Sequence, residues 1–156
     1  MNPLQEPQHT DEYHSLVTMI NQLDPDGEPQ IGWVHRATKR IRGDGKRLGI
    51  FSGSFNPLTV AHVKMIENAQ AQFDLEEILL LLAKTNVDKS IFGFSLADRL
   101  IMLKRYATRQ DDFSVAACSH GRYVDKIKAL KVVYPPRTEY SFIVGYDTLV
   151  RIFDSR

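Results

Sequence analysis

Apolar positions recur in two rhythms along this chain, and the change between them marks its organisation. Tyr13, Leu16, Val17, Ile20 and Leu23 fall at helical spacing, with Asp11 and Glu12 where a helix dipole favours acids. This predicts a short amphipathic helix laid on the main domain and ended by Pro25 and Gly27. The stretch from Gly32 to Gly45 has no clear period, so no element is predicted there. After Arg47 short apolar runs alternate with helical faces. Leu48 to Phe51 reads as a strand, followed by a helix from Val60 to Phe73 whose core face is Val63, Ile66, Ala69 or Gln70, and Phe73. Glu77 to Ala83 reads as a buried strand. Ser95 and Asp98 then open a helix with Leu96, Leu100, Leu103 and Ala107 on one face. Phe113 to Cys118 is a third strand, and Tyr123, Ile127, Leu130 and Tyr134 line a helix stopped by Pro135 and Pro136. Tyr140 to Val144 is a fourth strand, and Gly145 turns into a last helix reaching Phe153.

Strand–helix alternation at this spacing predicts an α/β fold: a Rossmann-like open parallel sheet with helices on both faces and an N-terminal helical extension. Residues 1–47 form the extension and residues 48–156 the Rossmann-like domain. In such sheets ligands bind beyond the carboxyl ends of the strands, where strand order reverses. The segments that follow each strand are therefore the candidate site.

Charge refines the picture without changing it. Twenty basic and 19 acidic residues leave a net charge of +1, which gives no global field for nucleic acid or a membrane surface. Within that balance, residues 1–34 carry six acids and no Lys or Arg, whereas residues 35–47 carry six basic residues against Asp44 alone. The favoured reading is a loose N-terminal arm whose basic stretch is solvated; the other is a basic lip beside an anionic ligand. No apolar run approaches the ~20 residues that span a bilayer. The single cysteine, Cys118, excludes an internal disulfide and a zinc site built on several cysteines. A reduced, cytoplasmic setting follows by default.

The first strand leads into Gly-Ile-Phe-Ser-Gly-Ser-Phe-Asn-Pro-Leu-Thr-Val-Ala-His, residues 49 to 62. Gly53 allows close backbone approach to a ligand, Asn56 and Pro57 make a turn, and Thr59 is placed to cap the next helix with His62 in its first turn. Backbone amides and the positive dipole end favour an anion there, and a histidine can donate to a phosphate oxygen. Read without that chemistry, the same residues are a Rossmann-type turn with an incidental histidine.

Gly53-Ser54-Phe55-Asn56-Pro57 followed by Thr59-Val60-Ala61-His62 resembles the signature of the nucleotidyltransferase superfamily, G-x-F-[DN]-P-x-[HT]-x-G-H. The Ser-Phe-Asn-Pro version is most similar to nicotinamide or nicotinate mononucleotide adenylyltransferases. Thr59 replaces the first motif histidine, as in related pantetheine-phosphate adenylyltransferases, and Ala61 replaces the motif glycine and crowds the nucleotide slightly. The resemblance implies catalytic roles for His62 and Thr59 and phosphate binding at Gly53, Ser54, Phe55 and Asn56. In the loop after the second strand, Asn-Val-Asp-Lys resembles a family segment, which makes Lys89 either a phosphate-binding candidate or a solvated lysine. Arg99 lies in a further similar segment, with a structural role at the helix start. His120, after the third strand, reads as exposed. Gly145-Tyr146-Asp147-Thr148-Leu149 resembles the G-x-D-x-L segment that faces the adenosine ribose, so Gly145 and Asp147 are candidates. Asp147 could otherwise be a plain helix N-cap.

The implied reaction is adenylyl transfer from ATP to nicotinamide or nicotinate mononucleotide, a step of NAD biosynthesis that releases pyrophosphate. Mg²⁺ arrives with ATP, so no protein metal site is expected. The alternatives are a phosphopantetheine or cytidylyl transferase, or a nucleotide-binding paralogue without turnover. The resemblance also implies a further strand and a second phosphate motif, Ile-Ser-Ser-Thr-x-x-Arg, which do not occur before Arg156. The readings are a C-terminal truncation, an incomplete gene model, or a divergent member that completes its sheet with a partner, and truncation is preferred. The fourth strand is then left as an exposed edge through which copies could pair into a homo-oligomer.

Overall fold

The computed structural model describes residues 6–84 and 93–154. Lys89 lies outside them. Five strands, β1 (Ile31–His35), β2 (Arg47–Ser52), β3 (Glu77–Ala83), β4 (Phe113–Cys118) and β5 (Glu139–Ile143), form one sheet in the order β1-β4-β3-β2-β5. The helices are α1 (Glu6–Gln22), α2 (Val60–Phe73), α3 (Leu96–Ala107), α4 (Tyr123–Val133) and α5 (Tyr146–Phe153). All pairings among β2 to β5 are parallel, and β1 alone runs antiparallel, beside β4. The chain steps outward from β2 to β3 to β4, then returns to the other side of β2 with β5. That reversal puts the switch point at the carboxyl ends of β2 and β5.

The period-two alternation of the strands builds two cores. Phe51, Ile78, Leu80, Leu82, Val115 and Ile143 face one way, under Leu16 of α1, Ile66 of α2 and Leu100 and Leu103 of α3. Leu48, Ile50, Leu79, Leu81, Ala116 and Cys118 face the other way, under Ala129 and Leu130 of α4 and Tyr134. β3 is buried along its whole length because both faces are covered, which is why its sequence is a continuous apolar run. The predicted face of α3 is buried throughout. Phe73, expected on the core face of α2, is instead 55% exposed, beside the edge strand β5, where no further described element covers it.

β1 is the element that the hydrophobic pattern does not announce. Its five residues are mostly half-buried, and Gly32 interrupts any alternation. A Cβ at Gly32 would meet the Met19 side chain of α1, which would have to move aside, so the helix lies directly over the strand there. α1 is anchored rather than loose. Leu16 and Leu23 are buried, Lys104 pairs with Glu12 at 2.8 Å, and Lys84 donates to the Leu23 carbonyl.

The basic stretch before β2 lies at the amino ends of the strands. Arg47 opens β2, bonds the Glu139 carboxylate at 2.8 Å, and donates its amide to Glu76. Arg137 pairs with Asp44, and Arg36 stacks 3.8 Å over the Trp33 ring. β2 separates this region from the opposite end of the sheet by roughly 20 Å, at ~3.3 Å per residue. The stretch is a structural and solvated surface and not a lip to the carboxyl-end cleft.

Candidate functional site

At the end of β2 the chain enters a tight turn tied to its neighbours. The Gly53 amide donates to Leu81 of β3. Phe55 is 1% exposed with φ of 41°, a left-handed conformation that is uncommon for an aromatic residue and is held here by burial. Its ring packs edge-on against Phe51 and His62, with centroids 5.2 and 5.3 Å apart. Asn56 accepts from the Phe94 amide at 3.0 Å. Arg99, which is buried, donates to the carbonyls of Phe94 and Ser54. The side chains of Phe55, Asn56 and Arg99 therefore brace the turn, and Gly53 and Ser54 are the turn residues that line the open space. The nearest atoms to a Cβ added at Gly53 belong to the Phe55 ring, at 3.5 Å, an ordinary contact distance, so the fold has room for a Cβ there.

Thr59 caps α2 and His62 completes the box. The Thr59 hydroxyl accepts from the His62 amide, and His62 Nδ1 accepts from the Thr59 amide at 2.9 Å. With Nδ1 occupied as an acceptor, the proton of the neutral ring sits on Nε2, which makes that nitrogen a donor. Burial holds the His62 pKa below its ordinary value, so the neutral tautomer is the resting form. The first turn of α2 is thus partly satisfied from within, and the imidazole carries its donor capacity onward.

These groups open onto a cleft of about 830 Å³ at the carboxyl ends of β2, β4 and β5. Ser52, Gly53, Ser54 and His62 line one side, and Gly145, Asp147, Thr148 and Arg151 line the side formed by α5. Gly145 is the N-cap of α5 and makes no side-chain cap hydrogen bond. Asp147 sits in the first turn instead, so it is not the N-cap, and its exposed carboxylate faces the cleft. The structure brings Gly53, Ser54, His62, Gly145 and Asp147 to one cavity. Thr59 supports His62 from behind, and Phe55 and Asn56 act through packing and loop bracing. His120 is half-buried beside Ser119, with Nδ1 2.7 Å from its hydroxyl, rather than exposed.

Sequence reasoning selects no residue of α4 for the site, yet Tyr123 and Lys126 line this cleft. The available signal was spacing: a lysine one turn after Tyr123 and one turn before Ala129 and Leu130 lies on the buried face of the helix. Among the described residues no cluster of three His, Cys, Asp or Glu side chains could hold a metal ion. No described helix is long and apolar enough to cross a membrane.

The fold and cleft define an open α/β protein whose candidate ligand site combines a glycine turn, a helix-start histidine, basic side chains and, among the described residues, one carboxylate. Residues 50–155 match the cytidylyltransferase-like family, and the chain belongs to it. It is 32% identical over 120 residues to a Schizosaccharomyces pombe protein named as a nicotinamide mononucleotide adenylyltransferase, covering 76% of this chain and 47% of that one. It is 33% identical over 112 residues to a Geobacter sulfurreducens protein named as a nicotinate-nucleotide adenylyltransferase, covering 68% and 51% of the two chains. A Carboxydothermus hydrogenoformans protein of the same name is 32% identical over 113 residues, with 69% and 56% covered. The chain spans about half the length of the curated relatives it matches.

Proposed function

We propose that the cleft serves adenylyl transfer from ATP to nicotinamide or nicotinate mononucleotide. The observation that carries this reading is the pairing of an open Gly53–Ser54 turn with a His62 ring whose Nδ1 is already occupied. A phosphate can approach the turn closely, and Nε2–H is left to donate to it. The names of the relatives support the adenylyl chemistry and the nicotinamide or nicotinate acceptor.

In this reading the 5′-phosphate oxygen of the mononucleotide attacks the α-phosphorus of ATP. A P–O bond forms, the bond to the bridging oxygen of the β-phosphate breaks, and pyrophosphate leaves. Such transfers depend on alignment and charge neutralisation more than on covalent participation. The Gly53 and Ser54 backbone orients phosphate oxygens, and His62 Nε2–H stabilises the charge that develops on them. Thr59 fixes the tautomer and direction of that imidazole. Asp147 accepts from the ribose hydroxyls beside the Gly145 turn. Mg²⁺ enters as part of the MgATP substrate, held by phosphates and water. The proposal includes a cytoplasmic setting, and an edge at β5 at which copies of the chain could pair.

Incubation with MgATP and each mononucleotide, followed by chromatography of the dinucleotide and an assay of released pyrophosphate, tests the reading. Dinucleotide and pyrophosphate formed in equal amounts are expected. Turnover with CTP or with phosphopantetheine would replace it with another transferase activity. ATP binding without any pyrophosphate release would replace it with nucleotide binding alone.

A further inference from the structure

Lys126 is 3% exposed, on the buried face of α4. Its Nζ donates to Ser52 Oγ at 2.7 Å, at the carboxyl end of β2 and one residue before the Gly53–Ser54 turn. The ammonium also lies 4.9 Å from the centre of the Tyr123 ring. All three side chains line the cleft.

The charge on this side chain lacks the partner that a buried cation normally has. Lys39, Arg47, Lys104, Arg122, Lys128 and Arg137 all pair with carboxylates. Among the described residues no such pair includes Lys126, and its sequence neighbour Asp125 is taken by Arg122 at 2.9 Å. The nearby Cys118 thiol is pushed up by burial and stays neutral. Burial likewise pulls the Lys126 ammonium below its ordinary range. A serine hydroxyl and a ring face use part of its three-donor capacity and compensate little of its charge. Buried lysines are rare unless paired, because withdrawing the charge from water is costly. An anion delivered into the cleft would supply the missing compensation.

We propose that Lys126 is a phosphate-holding residue of this cleft, taking an oxygen of the bound nucleotide beside the Gly53–Ser54 turn. The identity of the ligand as a nucleotide rests on the adenylyltransferase reading; the anion site itself rests on the geometry of Lys126. The class of ligand is a phosphate ester or anhydride, since the compensating group must be anionic and must reach a donor between β2 and α4.

Calorimetric titrations with inorganic pyrophosphate, MgATP and adenosine, on the wild-type chain, Lys126→Met and Lys128→Met, test the proposal. Methionine keeps an unbranched stem and removes the charge. Lys128→Met removes the same charge from an exposed position paired with Glu28. Lys126→Met is expected to weaken pyrophosphate and MgATP binding on the order of 10- to 100-fold, as for loss of a hydrogen bond to a charged group. Its adenosine affinity should stay the same, and its thermal midpoint should stay the same or rise. Lys128→Met should change each affinity by less than about twofold, as expected for a screened surface charge. Nucleotide binding that is equal in wild type and Lys126→Met would overturn the assignment of Lys126 and leave the adenylyltransferase reading standing. Lys126-dependent pyrophosphate binding without any nucleotide binding would do the reverse. No binding of any of the three by the wild type would overturn both. If Lys126→Met fails to fold, nitrogen-detected lysine ammonium resonances of the wild type decide: the Lys126 signal should move with pyrophosphate and the Lys128 signal should not, and an unmoved Lys126 signal overturns the proposal.

Discussion

The two ends of the sheet treat charge in opposite ways. At the amino ends, the buried carboxylate is surrounded by hydrogen-bond donors, while Arg36, whose Nε has no hydrogen-bond partner among the described residues, is covered by the Trp33 ring. Glu77, fully buried, accepts from the Ile41 amide, the Ser114 hydroxyl and the Tyr134 hydroxyl at 2.6 to 2.8 Å. Arg47 is shared between Glu139, the Phe73 carbonyl and, through its amide, Glu76. At the carboxyl ends, Lys126 has no described carboxylate partner, the α5 N-terminus has no side-chain cap, and Gly53 leaves space that the fold does not need. Matched charges at one end hold strands and loops in register. Unmatched ones at the other end cost stability and are suited to a ligand that supplies the missing charge.

The largest expected effect falls at the matched end. Glu77→Ala strands three donors in the interior and should cost roughly 3–5 kcal/mol in denaturant unfolding, while ligand affinity in the folded fraction stays unchanged. A loss of affinity at full stability would mean that the two ends are not separate in function. At the unmatched end, His62→Ala should lower turnover on the order of a hundredfold, the usual cost of one lost charge-stabilising donor, and leave a folded chain. Near-normal turnover would remove His62 from the site. Gly53→Val should keep the thermal midpoint and weaken MgATP binding by about tenfold or more, because its Cβ meets nothing closer than the Phe55 ring at 3.5 Å while its methyl groups enter the space a phosphate would approach. A large fall in the midpoint would instead place that glycine among the structural residues.

Acidity sharpens the same contrast. The folded His62 pKa lies below its usual value near 6.5, so the unfolded chain takes up that proton first. The stability contributed by the neutral ring is complete above about pH 6.5 and is lost as pH falls through the folded value. Protonation also takes away the Nδ1 acceptor of the capping box. Thermal midpoints should therefore drop below pH 6.5 in the wild type and drop less steeply in His62→Ala; parallel curves would show that the box does not sense the proton. The smallest effect belongs to Arg47→Ala. Its exposed pair with Glu139 is worth under about 1 kcal/mol, and urea unfolding should barely change.

Much of the fold was legible because the strands after Arg47 are short and each is followed by a clear helical face. Glu77–Ala83, Phe113–Cys118 and the helix Val60–Phe73 carry the same bounds in the structure as in the apolar pattern. The turn at Gly53, the cap at Thr59 and the position of His62 were legible for the same reason: capping and turn chemistry act within a few residues of sequence. β1 was hidden because an antiparallel edge strand of five residues, half-covered and interrupted by Gly32, has no pattern of its own. The division of labour within the motif was hidden too. Phe55 and Asn56 belong to the same short run as Gly53, but one packs on His62 and the other ties the turn to Phe94.

The sequence by itself determined what is local: the alternation of elements, the parallel α/β class that follows from it, the phosphate-turn chemistry and the helix cap. Tertiary structure alone decided what depends on distant residues meeting. It put the basic stretch before β2 at the end of the sheet away from the cleft, and it laid α1 over Gly32. It also carried Lys126 across 74 residues of sequence to Ser52, where no carboxylate of the described residues pairs with it. The physical reason is that periodicity reports which face of an element is buried, while the compensation of a buried charge depends on which groups from other elements arrive beside it.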